Sequence, residues 1–187
     1  MSLGNGKYFI LYETNGDVRQ VSRGRVEDLS LGPKSIFVLH QGQKANSWTL
    51  ENKSNGSVSL ESALAPSGVY RDNTGPFAFP LPNLAVSLGW KLEKVNGSDN
   101  QQYIITTKDG SLAWTVSDKS GFNGDYVLLQ PKDGSSKQVF TFVKDLNDYY
   151  ENYFVSEASR NPEREGDRVP QSQFGYRRKG RGQRYCD

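Results

Sequence analysis

The sequence predicts an all-β fold built from three similar units, and three observations lead to this prediction. The motif Trp-x-Leu-Glu occurs at Trp48 and again at Trp90, 42 residues later, and an Asn-Gly-Ser turn follows each copy. A weaker third copy begins at Phe140. The 19 Gly and 8 Pro residues suit many short strands joined by turns. Three units of four strands, each roughly 40 to 50 residues long, predict a twelve-stranded β-trefoil, a closed barrel capped by three hairpins.

Each predicted unit contains four strands in which apolar and polar residues alternate with period two, as in half-buried strands. Because one unit cannot bury its own apolar face, the three units must share one core, and we expect Trp48, Trp90 and Phe140 to be equivalent core residues. The predicted first strands are 7–13, 58–64 and 102–108, and the second strands are 17–23, 68–73 and 111–117. The third strands are 35–41, 76–82 and 126–131, and the fourth strands start near Ser47, Gly89 and Val139.

The composition changes after residue 145, so we divide the chain into a trefoil domain (1–145), a helix (146–160) and a tail (161–187). The helix is predicted because apolar and aromatic residues recur at helical spacing and would pack on the barrel. These residues are Leu146, Tyr149, Tyr150, Tyr153 and Phe154. The tail is charged and interrupted by proline, which predicts disorder.

The end of the tail is basic, and this leaves two interpretations open. Arginine and glycine near aromatic residues can contact nucleic acid or acidic proteins, whereas a solvated tail is the simpler alternative. The basic residues are Arg177, Arg178, Lys179, Arg181 and Arg184. Cys186 lies among the last residues and is expected to be exposed.

The remaining composition argues against several classes of protein. The 23 Lys and Arg residues nearly balance the 21 Asp and Glu residues, so the whole chain does not read as a nucleic-acid or membrane binder. One cysteine excludes an internal disulfide framework, and with no secretory signal we expect a monomeric, cytoplasmic protein. His40 is the single histidine and follows an apolar strand, where a structural role is expected. We therefore predict no enzyme, no metal site and no cofactor.

The segment QPKDGSSKQ, residues 130–138, lies between the two last predicted strands. Its Asp133-Gly134 pair suits a tight connection, so the segment by itself predicts a hairpin turn that exposes Lys132 and Lys137.

Several motifs occur in an order that resembles a known family. They are the opening Met-Ser-Leu-x-x-Gly-Lys-Tyr-Phe-Ile, the segment RVEDLSLGPKSIFVL at 25–39, the Trp-x-Leu-Glu strand and the stretch from Tyr103 to Val116. Over residues 1–145 the chain resembles the fungal cnispin-like β-trefoil serine protease inhibitors. The resemblance implies that the chain inhibits a trypsin-like serine protease through the loop between the eleventh and twelfth strands, here residues 130–138.

The resemblance reaches this loop but selects no residue within it. Lys132 follows Pro131, which restricts the backbone, but it precedes the acidic Asp133. Lys137, followed by Gln138, avoids an acidic neighbour but lies close to the last strand, so we rank Lys132 first and Lys137 close behind.

Two other lysines and one other function remain as alternatives. Lys53, between the fourth and fifth strands, and Lys119, on a glycine-rich loop, are each followed by serine. A carbohydrate-binding trefoil would instead use repeated polar turns, although the polar residues are not repeated consistently in the three units.

Overall fold

The computed structural model describes residues 3–71, 74–97 and 101–146, which lie within the unit Met1–Tyr149. In these residues the chain forms thirteen β-strands and two short 3₁₀ helices, Pro82–Leu84 and Ser136–Gln138. The strands are β1 (Gly6–Thr14), β2 (Asp17–Arg23), β3 (Lys34–Leu39), β4 (Trp48–Asn52), β5 (Val58–Ser62), β6 (Ala65–Val69), β7 (Pro76–Ala78), β8 (Ser87–Leu88), β9 (Lys91–Lys94), β10 (Gln102–Thr106), β11 (Leu112–Gly121), β12 (Gly124–Pro131) and β13 (Phe140–Lys144).

Six strands form a closed barrel. Strand β1 pairs with β4 and β13, β4 pairs with β5, and β10 pairs with β9 and β13, all antiparallel. The ring closes between β5 and β9, where Val58 and Trp90 exchange backbone hydrogen bonds of 2.7 and 2.8 Å. The pairing of β10 with β11 also closes a longer path that runs through ten strands. Closure leaves the barrel strands without a free edge, which protects the sheet from pairing with other chains.

Three hairpins accompany the barrel, one in each unit: β2–β3, β6–β7 and β11–β12. Strand β3 also pairs with β7 and with β12, so the hairpins are joined to each other as well as to the barrel strands. A six-stranded barrel with three hairpins in a repeating chain order is the predicted β-trefoil, and the all-β prediction is confirmed.

The number of strands in the described residues differs from the predicted twelve because a two-residue strand, β8, precedes the predicted eighth strand, whose expected start is near Gly89. Gly89 has a φ of +87°, which is unfavourable for other residues and interrupts the extended backbone between β8 and β9. Strand β8 pairs with β6, whereas β9 pairs with β10. Because of this bend, the chain pairs first with a hairpin strand through β8 and then with a barrel strand through β9.

The three repeated aromatic residues are in the core, as predicted. Trp48, Trp90 and Phe140 are each 0% exposed. Trp114 of β11 lies among them, with ring centroids 5.8 Å from Trp48, 5.3 Å from Trp90 and 6.2 Å from Phe140. A single aromatic residue from the third unit thus joins the equivalent positions of all three units.

The hairpin prediction for QPKDGSSKQ is wrong. Strand β12 pairs with β11 and β3, whereas β13 pairs with β1 and β10, so the two flanking strands are not partners of one another. The segment connects a hairpin strand to a barrel strand, because the strands on its two sides belong to different parts of the trefoil.

The predicted helix 146–160, apart from Leu146, and the predicted tail 161–187 lie outside the described residues. The basic residues of the tail and Cys186 are therefore not described either. Within the described part of the chain, no helix is long and apolar enough to cross a membrane.

Candidate functional site

The candidate site is the β12–β13 loop, which we define as residues 132–139. The backbone is extended as far as Pro131, and Lys132 continues this direction because its N–H donates to the Ser111 carbonyl at 3.2 Å. The 3₁₀ helix Ser136–Gln138 then leads into β13. The loop therefore leaves the end of β12 at Lys132, turns at Gly134, where φ is +72°, and ends in a short helical part.

Gln138 holds the loop from inside. Its side chain is 0% exposed, and its Oε1 accepts hydrogen bonds from the N–H of Asp133 at 2.9 Å and of Gly134 at 3.1 Å. Its Nε2 donates to the Pro131 carbonyl and to Thr115 Oγ1, both at 3.0 Å. These four bonds fix the shape of the loop, because a buried amide with all of its contacts satisfied is costly to displace.

Asp133, the acidic residue that follows Lys132, is bonded within the loop. Its Oδ1 accepts a hydrogen bond from the Ser135 N–H at 2.8 Å. Hydrogen bonds from Ser135 lower the pKa of the Asp133 carboxyl, so the group is ionised at neutral pH. The negative charge of Asp133 is thus stabilised by hydrogen bonds within the loop.

Lys132 is exposed at the start of the loop. Its Nζ lies 2.7 Å from Glu93 Oε2 of β9, and the two side chains are 38% and 40% exposed. An ion pair with this exposure contributes at most about 1 kcal/mol, so a stronger partner can displace Glu93 at small cost.

Lys137 has a different setting. It lies within the 3₁₀ helix, where the backbone is not extended, and its Nζ contacts both Asp118 carboxylate oxygens at 2.7 and 2.8 Å. The hydrogen bond to Asp118 raises the pKa of the Lys137 ammonium group. The structure thus distinguishes two lysines that the sequence left nearly equal.

The two alternative lysines lie elsewhere. Lys53 starts the tight turn between β4 and β5, where its N–H donates to Ser57 and its carbonyl accepts from Gly56. Lys119 was expected on a glycine-rich loop but lies within β11, at the irregular register between Val116 and Ser120. The polar residues around Lys119 therefore form a bulge within β11 and not a separate loop.

One cleft of the molecule lies away from the loop. That cleft, of about 640 Å³, lies at the end of β2, and Arg23, Glu27 and Lys44 are among its lining residues. No residue of the β12–β13 loop lines it, whereas Lys137 of the loop lines a second cleft of about 290 Å³ together with Arg19 and Asp118.

The catalytic and metal-binding inventory of the described residues is small. His40 lies exposed directly after β3. Among the described residues, no group of three His, Cys, Asp or Glu could hold a metal ion.

Sequence reasoning missed the residues that support the loop. Glu93 forms an ion pair with Lys132, and Asp118 forms one with Lys137. Ser111, in the turn before β11, and Thr115, in β11, form hydrogen bonds with the loop. Glu93 lies 39 residues before Lys132, and such long-range contacts leave no spacing signal in the sequence.

Comparison with known proteins identifies a family and a relative of this chain. The profile of the family "Peptidase inhibitor I66" matches residues 1–144. A serine protease inhibitor of Lentinula edodes is 33% identical over 149 residues, which cover 76% of this chain and 99% of that protein.

Solved structures agree with the fold. A proteinase inhibitor from Coprinopsis cinerea superposes with a TM-score of 0.65 at 22% identity, covering 77% of this chain and 100% of its own. A ricin B-like lectin from Macrolepiota procera, solved with lactose, superposes with a TM-score of 0.54 at 17% identity, covering 78% of this chain and 99% of its own. At these identities the two likenesses concern the fold alone.

Proposed function

The chain belongs to the peptidase inhibitor I66 family, and from this premise we propose that it inhibits a trypsin-like serine protease by inserting Lys132 of the β12–β13 loop. The observation that carries the choice of residue is that Lys132 directly follows strand β12 in a loop that Gln138 fixes from inside, whereas Lys137 lies in a 3₁₀ helix. The family supplies the class of partner, and the loop geometry supports the position.

The chemistry of the partner fits a lysine. A trypsin-like protease carries an aspartate at the bottom of its specificity pocket, and a lysine that enters forms a charge-assisted contact in a desolvated slot. Lys132 must first leave Glu93, and this exposed pair contributes little. The exchange therefore favours the complex.

The loop geometry also favours Lys132 over Lys137. Proteases bind peptides in an extended conformation, which resembles an added strand. Pro131 restricts the backbone before Lys132, whereas Lys137 lies in a 3₁₀ helix. A loop already held in shape avoids an ordering cost of about 0.5 to 1.5 kcal/mol for each side chain that would otherwise be immobilised.

Titration of trypsin with single-lysine variants tests the proposal. Lys132→Ala should weaken inhibition at least about 100-fold, because the variant removes the central charged anchor of the interface. Lys132→Arg should retain inhibition. Lys53→Ala, Lys119→Ala and Lys137→Ala serve as matched controls and should each change the inhibition constant less than about threefold. Unchanged inhibition by Lys132→Ala, with a loss in one of the other three, would move the site to that lysine.

A carbohydrate-binding function is the second candidate, and the observation in its favour is the fold shared with the Macrolepiota procera lectin. Binding to a glycan array that survives both Lys132→Ala and Lys137→Ala, in a protein that inhibits no protease, would support this candidate over the first.

A further inference from the structure

The Gln138 side chain spans the peptide bond between Lys132 and Asp133. Its Nε2 donates to the carbonyl of Pro131, on the amino side of that bond, at 3.0 Å. Its Oε1 accepts from the N–H groups of Asp133 at 2.9 Å and of Gly134 at 3.1 Å, on the carboxyl side. We propose that Gln138 is a positioning residue that keeps both chain ends in place when a protease cleaves after Lys132, so that the bond is re-formed and inhibition persists.

The position of Gln138 does not depend on an intact Lys132–Asp133 bond. Its side chain is 0% exposed, and its Nε2 also donates to the buried Thr115 Oγ1 of β11 at 3.0 Å. The Thr115 hydroxyl in turn donates to the Ala113 carbonyl at 3.0 Å. The amide is therefore anchored in strand β11 and in its own 3₁₀ helix, both of which survive a break in the loop.

Further bonds hold each side of the break separately. On the amino side, the Lys132 N–H donates to the Ser111 carbonyl at 3.2 Å. On the carboxyl side, the N–H of Gln138 donates to the Ser135 carbonyl at 2.9 Å, which links the loop to the segment that carries the amide. Cleavage would thus produce two ends with little freedom to separate.

The chemical step is the ordinary one of a serine protease, and the inference rests on the proposed function. The serine Oγ attacks the Lys132 carbonyl, the bond to the Asp133 nitrogen breaks, and the protease histidine gives that nitrogen its proton. The new Asp133 amine still has N–H groups to donate to Gln138 Oε1. Held beside the acyl carbon, it attacks in the reverse direction, returns its proton to the histidine and releases the intact inhibitor. Where water has already hydrolysed the acyl-enzyme, the Lys132 carboxyl first re-forms the ester with the serine and releases that water, and the same attack follows.

The variants Gln138→Leu and Gln138→Glu separate the contributions of the amide. Leucine removes all four bonds, whereas glutamate keeps an acceptor for Asp133 and Gly134 but loses the donor to the Pro131 carbonyl and to Thr115 Oγ1. We expect Gln138→Leu to be cleaved after Lys132 at least about tenfold faster than the wild type, with trypsin activity recovering over hours. The rate of cleavage of Gln138→Glu should lie between those of the wild type and Gln138→Leu. Gln41→Leu, a change at an exposed residue after β3, is the matched control and should behave as the wild type.

Re-synthesis is the second measurement, and a merely structural role would not change it. Full-length protein cut after Lys132 is isolated and incubated with a catalytic amount of trypsin, and mass spectrometry follows the fraction of intact chain. The wild type should return to a mixture that contains intact chain, whereas folded Gln138→Leu should stay cut. Thermal unfolding of each protein identifies variants that are not folded.

The outcomes separate the two proposals. If the wild type does not inhibit trypsin, the proposed function fails. If the wild type inhibits but its cut form yields no intact chain, or if folded Gln138→Leu inhibits for as long as the wild type, the inference about Gln138 is overturned and the proposed function stands.

Discussion

At the scale of single residues, Trp114 differs from the two tryptophans that mark the repeats. Trp48 Nε1 donates to the Val21 carbonyl at 2.7 Å, and Trp90 Nε1 donates to Ser67 Oγ at 2.8 Å. Trp114 Nε1 is buried without a hydrogen-bond partner. A buried donor that lacks a partner destabilises the folded state. This cost offsets part of the stabilisation that Trp114 contributes by packing.

This difference gives a prediction for two matched substitutions. Trp48→Phe removes an indole ring and a hydrogen bond, whereas Trp114→Phe removes the same ring and an unsatisfied donor. We expect the free energy of unfolding, measured in urea, to fall by about 1 kcal/mol more for Trp48→Phe than for Trp114→Phe. An equal or larger loss at Trp114 would show that its ring packing outweighs the unpaired N–H.

Asp109 illustrates how a single exposed carboxylate supports the candidate site. It accepts hydrogen bonds from Thr107 Oγ1 at 2.5 Å, from the Ser111 N–H at 3.1 Å and from Ser111 Oγ at 2.9 Å. The bond from Thr107, followed by those from Ser111, lowers the pKa of the Asp109 carboxyl to about 2. Because the Ser111 carbonyl binds the N–H of Lys132, this turn lies directly behind the loop.

A pH-dependent contribution to stability follows. A carboxyl with a folded pKa of about 2 and an ordinary value of 3.8 stabilises the fold while it is ionised, above pH 3.8, and loses this effect as the pH falls towards 2. Asp109→Ala should therefore be less stable than the wild type at pH 7, and the difference in unfolding free energy should narrow between about pH 4 and pH 2. Asp17→Ala, at the exposed first residue of β2, is the control. A difference for Asp109→Ala that is independent of pH would contradict the assignment.

At the scale of elements, the strands agree with the sequence where alternation is regular and depart from it where the backbone bends. Most predicted strands appear within a few residues of their predicted ends. The additional strand β8 is separated from β9 at Gly89, where a left-handed residue redirects the chain from a hairpin to the barrel. Alternation of apolar and polar residues does not report such a change of partner.

The junction of β12 with β3 depends on a glycine. Gly124 pairs with Leu39 and has a φ of +137°, and a Cβ at this position would collide with the Val38 carbonyl oxygen. Gly124→Ala should therefore lower the unfolding free energy by about 3 kcal/mol or more, since it adds backbone strain to a collision.

Gly16→Ala is the matched control for this prediction. Gly16 has a φ of +84° in the turn after β1, but a Cβ there meets nothing within 4 Å. Gly16→Ala should therefore lower the unfolding free energy by about 1 kcal/mol, from backbone strain alone. Equal losses for the two variants, measured by urea unfolding, would mean that close approach of β12 and β3 contributes nothing.

At the scale of the whole molecule, the sequence by itself determined the class of fold and the common core. Repeated Trp-x-Leu-Glu motifs and period-two alternation are local signals, and three such units can bury their apolar faces only by sharing one core. Trp48, Trp90 and Phe140 are accordingly all buried.

Only the tertiary structure decided the organisation of the candidate site. The sequence located the segment that carries Lys132 and Lys137, but it described that segment as a hairpin turn and ranked Lys132 only narrowly ahead of Lys137. The distinction comes from Glu93, Asp118 and the buried amide of Gln138. These contacts join residues that are far apart in the chain or belong to different strands, and they arise only after the barrel closes and brings β9, β11 and the loop together.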